Sequence, residues 1–554
     1  MSAADLRLYA KIASPLEHPG FGHAGKPTTE TKVLAKGYQH VEGGRKLPCK
    51  IVFMKDEPIP TSEGPIYGDF FKPETTEKLA TIVHWTPYGK TDKGVINYSL
   101  NTNNAGVKQE SISWLNTFEG LDPAEWCNRG YAIAQIDLMG SSFSAGPLEQ
   151  WSLREAECLH EVIDWISKQS WSNGSVGMAG NSWLAIGQIN FATKAPHPAL
   201  KAIAPWECLT DQYVDLIKRG GVDSLPFSKM IISAMAGLNG IEDVAREVQE
   251  YPLRSHPIWQ EKALPVEHLR TPALRWHTKQ EWSDLYEPAN TDDLQKFFDY
   301  YLRGKTNNGW PETPRIRLAV LDFHNQGTDI VGKEEVEYPL ARQELVRFYL
   351  NAKTGTLETS PCGNMSSVTY AAHDEQGHVA FRYTFAKRTA LVGFSAATLF
   401  VSPSTETHLD VHVMLRKVSS TGELLAHVNF DHGPHSPSPT NVSQYLGPDG
   451  CLRASFRHTK DDNKSTENEP FYRFDDQGPK IKPGEIVKLE IPFWPGGIVF
   501  DKGESIELHI AGHSLRYPEF PNLAGLHDEN DGEHTVHTGG EHQSYIVLPF
   551  VYDL

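Results

Sequence analysis

Between residues 79 and 206, short apolar runs alternate with stretches of helical periodicity. Runs of strand length cover 80–85, 131–136, 176–179 and 202–205. Between them, 152–168 places Leu159, Val162, Ile163 and Ile166 at helical spacing, and Asn173-Gly174 turns the chain into the next strand. This alternation predicts a parallel sheet covered on both faces, because each crossover helix must bury its apolar stripe on that sheet. From 211 to 261 the pattern is helical and irregular, with pieces at 218–221, 230–238 and 244–250; an insertion there reads as a helical cap. After about Phe348 it becomes all-β. Val411, Val413 and Leu415 alternate before a Ser420-Thr421-Gly422 turn, and Ile506, Leu508 and Ile510 alternate near the end. Many short strands with Gly/Pro turns predict a sandwich or jelly roll. The expected organisation is an α/β domain from 1–209 and 266–347, a helical cap at 210–265 and a jelly roll over 348–554.

Composition narrows the classes. Acidic residues outnumber basic ones by 70 to 52 in 554 residues, a net charge of −18. That argues against nucleic acid or an anionic membrane as a partner held by bulk attraction. Mean hydropathy is −0.43. The longest apolar run, 390–401, falls short of the ~18 residues of a membrane span and reads as a buried strand. The N-terminal residues carry no apolar signal-peptide core. Cys49, Cys127, Cys158, Cys208, Cys362 and Cys451 form no C-x-x-C pair. The expectation is a soluble, reduced, cytoplasmic chain without a disulfide framework or zinc ribbon.

The sharpest local feature is Val176-Gly177-Met178-Ala179-Gly180-Asn181-Ser182-Trp183-Leu184-Ala185-Ile186-Gly187. A strand runs into Gly-x-Ser and a helix-competent stretch follows, the setting of a nucleophile elbow. There a sharp turn lifts the serine hydroxyl above the sheet, and the next backbone N–H faces a developing oxyanion. The full G-x-S-x-G is not met, since Leu184 holds the last place; an ordinary Ser-containing βα turn is the bland alternative. A serine nucleophile needs a base. His277 ends the apolar run Pro272-Ala273-Leu274-Arg275-Trp276, a strand end downstream of the cap, and is the base candidate on position.

Several ordered motifs then carry a family likeness. They are Trp85-Thr86-Pro87-Tyr88-Gly89-Lys90, Asp122-Pro123-Ala124-Glu125-Trp126 with Arg129-Gly130-Tyr131, and Gly180-Asn181-Ser182-Trp183-Leu184-Ala185. Ala202-Ile203-Ala204-Pro205-Trp206-Glu207, Leu274-Arg275-Trp276-His277 with Gln280-Glu281-Trp282, and His534-Thr535-Val536-His537-Thr538-Gly539-Gly540 follow. Over most of its length the chain resembles the α/β-hydrolases related to cocaine esterase and X-Pro dipeptidyl-peptidase, the CocE/NonD group, in particular its fungal branch. The resemblance implies an α/β-hydrolase domain with a helical cap and a C-terminal jelly roll. It implies Ser182 as nucleophile, His277 as base, and Tyr88 joining the Trp183 N–H in the oxyanion hole.

The chain departs from that family at the acid. The family places an Asp after a strand between cap and His, yet no Asp occurs from Val244 to Ser283. Pro265-Val266-Glu267-His268-Leu269 runs almost directly into the His277 segment, so either a sheet element or coding sequence is missing. Glu207, directly after the strand 202–205, is the first replacement, with cap anchoring as its structural alternative; Asp211 is second and Glu267 third. Asp137 reads as structural, and Glu155 and Glu157 as solvent-exposed or helix-end residues. His527, His534, His537 and His542 with Glu533 and Glu541 fit no zinc spacing, and no G-x-G-x-x-G opens a βαβ unit, so neither metal nor cofactor is expected. Three functions stay open: a serine hydrolase of a small-molecule ester or amide, a catalytically impaired binding protein, and an acyltransferase or cyclase on the same scaffold. Homo-oligomerisation is undecided.

Overall fold

The computed structural model describes residues 6, 7, 9–13, 26–91, 96–100, 102–235, 237–274, 282–325, 327–430, 439–519, 523 and 530–554. They form two compact units. The first comprises 1–217, 227–252 and 256–313; the second comprises 218–226, 253–255 and 314–554.

The first unit is built on seven strands: β1 (Glu30–Leu34), β2 (Ile51–Thr61), β3 (Gly64–Pro73), β4 (Leu79–Thr86), β5 (Ala132–Asp137), β6 (Ser172–Asn181) and β7 (Leu200–Trp206), in the order β1-β2-β3-β5-β4-β6-β7. β4, β5, β6 and β7 run parallel, and every residue of β4 and β5 is buried. Sheets buried on both faces need such continuous apolar runs, and these are the strands expected from the sequence. Adjacent residues of β3 show the two faces. Phe71 joins Trp126 and Cys127 of α1 (Pro123–Asn128) in one core, while the Phe70 ring lies 5.7 Å from Trp165 of α2 (Leu153–Ser167). α2 starts where Ser152 Oγ accepts the Glu155 N–H at 3.0 Å, a side-chain N-cap. The same core as Phe71 takes Phe297, Phe298 and Leu302 of the last helix of this unit, Pro288–Arg303.

The antiparallel strands β1–β3 escape the sequence pattern because Pro58 and Pro60 interrupt β2. They are tolerated because β1 pairs only with residues 51–55, which leaves the proline end of β2 an edge on that side. Between β7 and residue 265, helices cover Leu225–Met235, Val244–Glu250 and Pro257–Lys262. The piece at 218–221 is not helical. Lys218–Arg219 and Val222–Asp223 form a short antiparallel hairpin, turned by Gly220 and Gly221 at φ 54° and 81°.

In the C-terminal stretch 314–554 of the second unit, β structure begins at Ile316–Val320, paired with Ile330–Glu335, rather than near Phe348. This hairpin is mostly half-exposed, which blunts its periodicity. Its end is fixed by the Leu321 N–H to the Gly497 carbonyl at 2.9 Å and by Val320 packing with Leu340, Ala390, Val392, Val499 and Val551. The main sheet has thirteen strands; the C-terminal strand Tyr545–Val551 lies between Glu344–Asn351 and Ala396–Pro403. Ser505–Ala511, whose alternation the sequence displays, lies between His378–Thr384 and Asp410–Val418. Among the described residues no helix is long and apolar enough to cross a membrane.

Candidate active site

Ser182 stands between β6 and α3 (Trp183–Lys194) at φ 51°, ψ −119°. A non-glycine residue there is strained, and such strain persists only where the surroundings enforce it. They do so through the Ser182 N–H, which bonds the Trp206 carbonyl at the end of β7 (3.0 Å), and the Ile186 N–H, which bonds the Ser182 carbonyl (3.0 Å). The serine hydroxyl is not spent on capping α3. Gly180, at φ 139°, explains the departure from G-x-S-x-G: a Cβ there would lie 2.6 Å from Leu184 Cβ, so Leu184 fills the space the glycine leaves.

Tyr88 follows the end of β4, where Thr86 Oγ1 accepts its N–H at 3.1 Å. Its ring is buried edge-on against Phe118, with centroids 5.4 Å apart. The hydroxyl lies beside the Ser182 side chain and the Trp183 N–H. Burial and the nearby Glu119 carboxyl push its pKa well above the usual phenol value, against the pull of those two groups. Trp183 opens α3, so its N–H belongs to the first turn, whose amides lack intrahelical partners and face the positive end of the helix. Serine, phenol and amide therefore meet at one point.

Two carboxylates flank the elbow. Asn181 Nδ2 donates to Glu207 Oε2 at 2.9 Å and to Glu119 Oε1 at 3.0 Å. Glu207 directly follows β7 and has φ 48°. Glu119 was missed by the sequence reading. It is 3% exposed, has φ 63°, and its carbonyl accepts the Asn181 N–H at 3.2 Å. Trp282 Nε1 also donates to its Oε1, at 3.0 Å. Burial raises its pKa to about 7, with the Glu207 charge adding and the Asn181, Trp282 and Tyr88 bonds opposing. One signal was available: Glu119 is the only charged residue between Glu110 and Asp122.

The other candidates fall elsewhere. Asp211 Oδ1 accepts the Tyr213 N–H at 3.0 Å, starting a helical turn, and Glu267 is exposed in the short turn Val266–His268. Asp137 is buried against Lys90 Nζ at 2.5 Å. Glu155 is buried rather than solvent-exposed, accepting from Trp85 Nε1 at 2.8 Å and the Trp151 N–H at 2.7 Å, which leaves the helix-end alternative; Glu157 is exposed. His534 sits 3.2 Å from the Tyr370 hydroxyl and His537 2.8 Å from Ser402 Oγ; among the described residues no metal-ligating cluster of three occurs. His277 and His527 lie outside the described residues. The segment leading to His277 is placed as far as Leu274: Ala273 pairs in parallel with Ile203 on the edge of β7 away from β6.

A parallel sheet ending in a strained serine, with a phenol and a helix amide beside its hydroxyl, defines the class as an α/β-hydrolase with a serine at the strand-to-helix turn. Two family models match: X-Pro dipeptidyl-peptidase (S15 family) over residues 66–293, and the X-Pro dipeptidyl-peptidase C-terminal non-catalytic domain over 308–547. The chain belongs to the CocE/NonD-type hydrolases, an α/β-hydrolase domain followed by a C-terminal β domain. A crystal structure of a CocE/NonD family hydrolase from Staphylococcus aureus is similar, with TM-score 0.83 and 27% identity over 95% of this chain and 97% of that one. Cocaine esterase of Rhodococcus sp. is 22% identical over 87% of this chain and 96% of its own length. A 100-residue stretch is 36% identical to proteins of Mycobacterium bovis and Mycobacterium tuberculosis whose names carry the words serine esterase. It spans 18% of this chain and 16% of each of theirs.

Proposed function

We propose that the protein hydrolyses an ester or amide of a small to medium acyl compound through an acyl-enzyme on Ser182. In this reading His277 takes the hydroxyl proton as Oγ attacks the acyl carbon. The Tyr88 hydroxyl and the Trp183 N–H hold the oxyanion, and His277 returns the proton to the leaving alcohol or amine. Water then attacks the acyl-enzyme by the same steps. Glu207, at the end of β7, is the acid that orients His277.

The observation that carries this reading is the meeting of the strained Ser182, whose hydroxyl caps no helix, with the Tyr88 hydroxyl and the Trp183 N–H. An ordinary βα turn has no reason to hold such a geometry. The helices of 210–265 are read as a cap and the C-terminal strands, from Ile316 on, as a jelly roll. Esters are favoured over X-Pro peptides, whose free end asks for carboxylates dedicated to an ammonium group. Six free thiols suit a reducing, cytoplasmic setting.

The test is fluorophosphonate labelling of the purified protein with peptide mapping of the adduct. The expected result is modification at Ser182, abolished in Ser182→Ala and strongly slowed in His277→Ala. A folded protein that takes no label at Ser182 would sink the assignment.

A further inference from the structure

Glu119 is a buried carboxyl group that the mechanism above leaves unused. Its Oε1 is fixed as an acceptor by two N–H donors, Asn181 Nδ2 and Trp282 Nε1, both at 3.0 Å. Neither donor can reverse its role, because indole has no acceptor and the same amide nitrogen also serves Glu207. Oε2 is equally buried, and among the described residues the group placed to bond it is the Tyr88 hydroxyl. The Tyr88 hydroxyl lies beside this carboxyl as well as beside Ser182 and the Trp183 N–H.

A phenol has one proton to give. If Glu119 were ionised, its carboxylate would compete with the substrate oxygen for that proton. If Glu119 is neutral with the proton on Oε2, it donates to the Tyr88 oxygen, and the Tyr88 proton is left to point at the oxyanion. Donors in such a chain polarise one another, which strengthens the last bond. The geometry points to Glu119 as a positioning residue that acts in its neutral form, donating from Oε2 to the Tyr88 oxygen and so aiming the Tyr88 hydroxyl at the oxyanion. The inference rests on the proposed role of Tyr88 and adds a reason for an acid beside it. No covalent bond changes; one proton is held at Oε2 throughout.

The surroundings suit a neutral acid. Phe118 and Trp282, whose rings lie 5.9 Å apart, and Tyr98, whose ring centroid is 5.0 Å from that of Phe118, are all buried. Among the described residues the titratable groups facing Glu119 are Tyr88, the Tyr98 hydroxyl and Glu207; the Glu207 charge disfavours a second anion, and the bond with Tyr88 pulls the other way. Burial already brings the Glu119 pKa to about 7. The acid is thus neutral below that pH and loses its proton above it.

The test measures acylation rates on a chromogenic ester between about pH 6 and pH 9, in wild type, Glu119→Gln and Tyr88→Phe. In Glu119→Gln the amide oxygen must take the Oε1 place to accept from Asn181 and Trp282, so its NH2 falls at Oε2 and donates to Tyr88 at every pH. Wild type should lose rate above about pH 7, approaching tenfold per pH unit, on top of the rise that His277 gives at lower pH. Glu119→Gln should keep the wild-type rate at about pH 6 within roughly threefold and show no alkaline decline. Tyr88→Phe, which leaves nothing to aim, should be slow and lack most of that decline, so the inference stays testable should Glu119→Gln fold poorly. Three results overturn it: a wild-type rate flat to about pH 9, an alkaline limb of unchanged depth in either variant, or a folded Glu119→Gln inactive at all pH. Fluorophosphonate labelling is run alongside. Absence of the Ser182 adduct in wild type refutes the hydrolase reading itself, whereas a normal adduct with an unchanged limb refutes only the role of Glu119.

Discussion

Replacing Tyr88 by Phe isolates the contribution of one hydroxyl. The ring is 5% exposed and its edge-to-face contact with Phe118 survives the change, as does the backbone bond to Thr86. The cost to stability should therefore stay near 1 kcal/mol, the ordinary net worth of a hydrogen bond. The cost to catalysis should be larger. Among the described residues two donors converge beside the Ser182 hydroxyl, the phenol and the Trp183 N–H, and removing one oxyanion donor typically raises a barrier by about 3 kcal/mol. At about 1.4 kcal/mol per decade this is a loss of roughly 150-fold in kcat, with little change in KM, because the oxygen is fully charged only in the tetrahedral state. Steady-state turnover of an activated ester, with a thermal melt of the same sample, measures both. A loss below tenfold in kcat would refute the reasoning, and so would a loss that appears wholly in KM. Either would mean that the oxyanion is held elsewhere.

Three further outcomes follow from the geometry. Ser182→Gly should abolish turnover yet raise the unfolding free energy by about 1 kcal/mol, because glycine adopts φ 51° without strain; a lower melting temperature would show that the elbow is not strained. Glu207→Gln should lower kcat by up to about 10⁴-fold while Ser182 still labels slowly, and a change within tenfold would remove Glu207 as the triad acid. His84 on β4 accepts the Leu121 N–H at 3.1 Å, and burial depresses its pKa from 6.5 to about 3. Between those values the unfolded chain binds the extra proton, so stability is full above about pH 6.5 and falls as the pH drops. The loss reaches about 2 kcal/mol by pH 5. Urea unfolding of His84→Gln should show a shallower acid limb than wild type, and an identical limb would contradict the linkage.

The parallel half of the sheet was legible because its physics is local. Strands buried on both faces must be apolar throughout, and α2 must show one apolar stripe, so β4, β5, β6, β7 and α2 stand out at their own periods. β2 did not, since Pro58 and Pro60 read as loop until the limited reach of β1 shows why they are harmless. The onset of β structure at Ile316 was hidden for a related reason: a half-exposed hairpin carries little hydrophobic signal. At the site, Ser182 and Tyr88 carry motifs in the chain itself. Glu119 carries none, because what distinguishes it is the company of Asn181, Trp282 and Tyr88, which lie tens of residues or more away in sequence.

The missing Asp and the pairing at β7 bear on one another. In the resembled family an acid strand precedes the strand of the histidine, and the sequence here leaves no room for it. In the structure, the Ile203 N–H bonds the Pro272 carbonyl and the Leu274 N–H bonds the Ile203 carbonyl, both at 3.0 Å, so 272–274 lies directly on the free edge of β7. Among the described residues no strand stands between them. A sheet shortened in this way brings the segment that leads to His277 against the strand that ends in Glu207. At the end of β7 Asn181 holds the Glu207 carboxylate at 2.9 Å and ties it to the elbow, which is why Glu207 is the acid proposed for that histidine. On the proposed role of Glu207, losing that strand and moving the acid would be one event, with β7 supplying the carboxylate in place of the Asp.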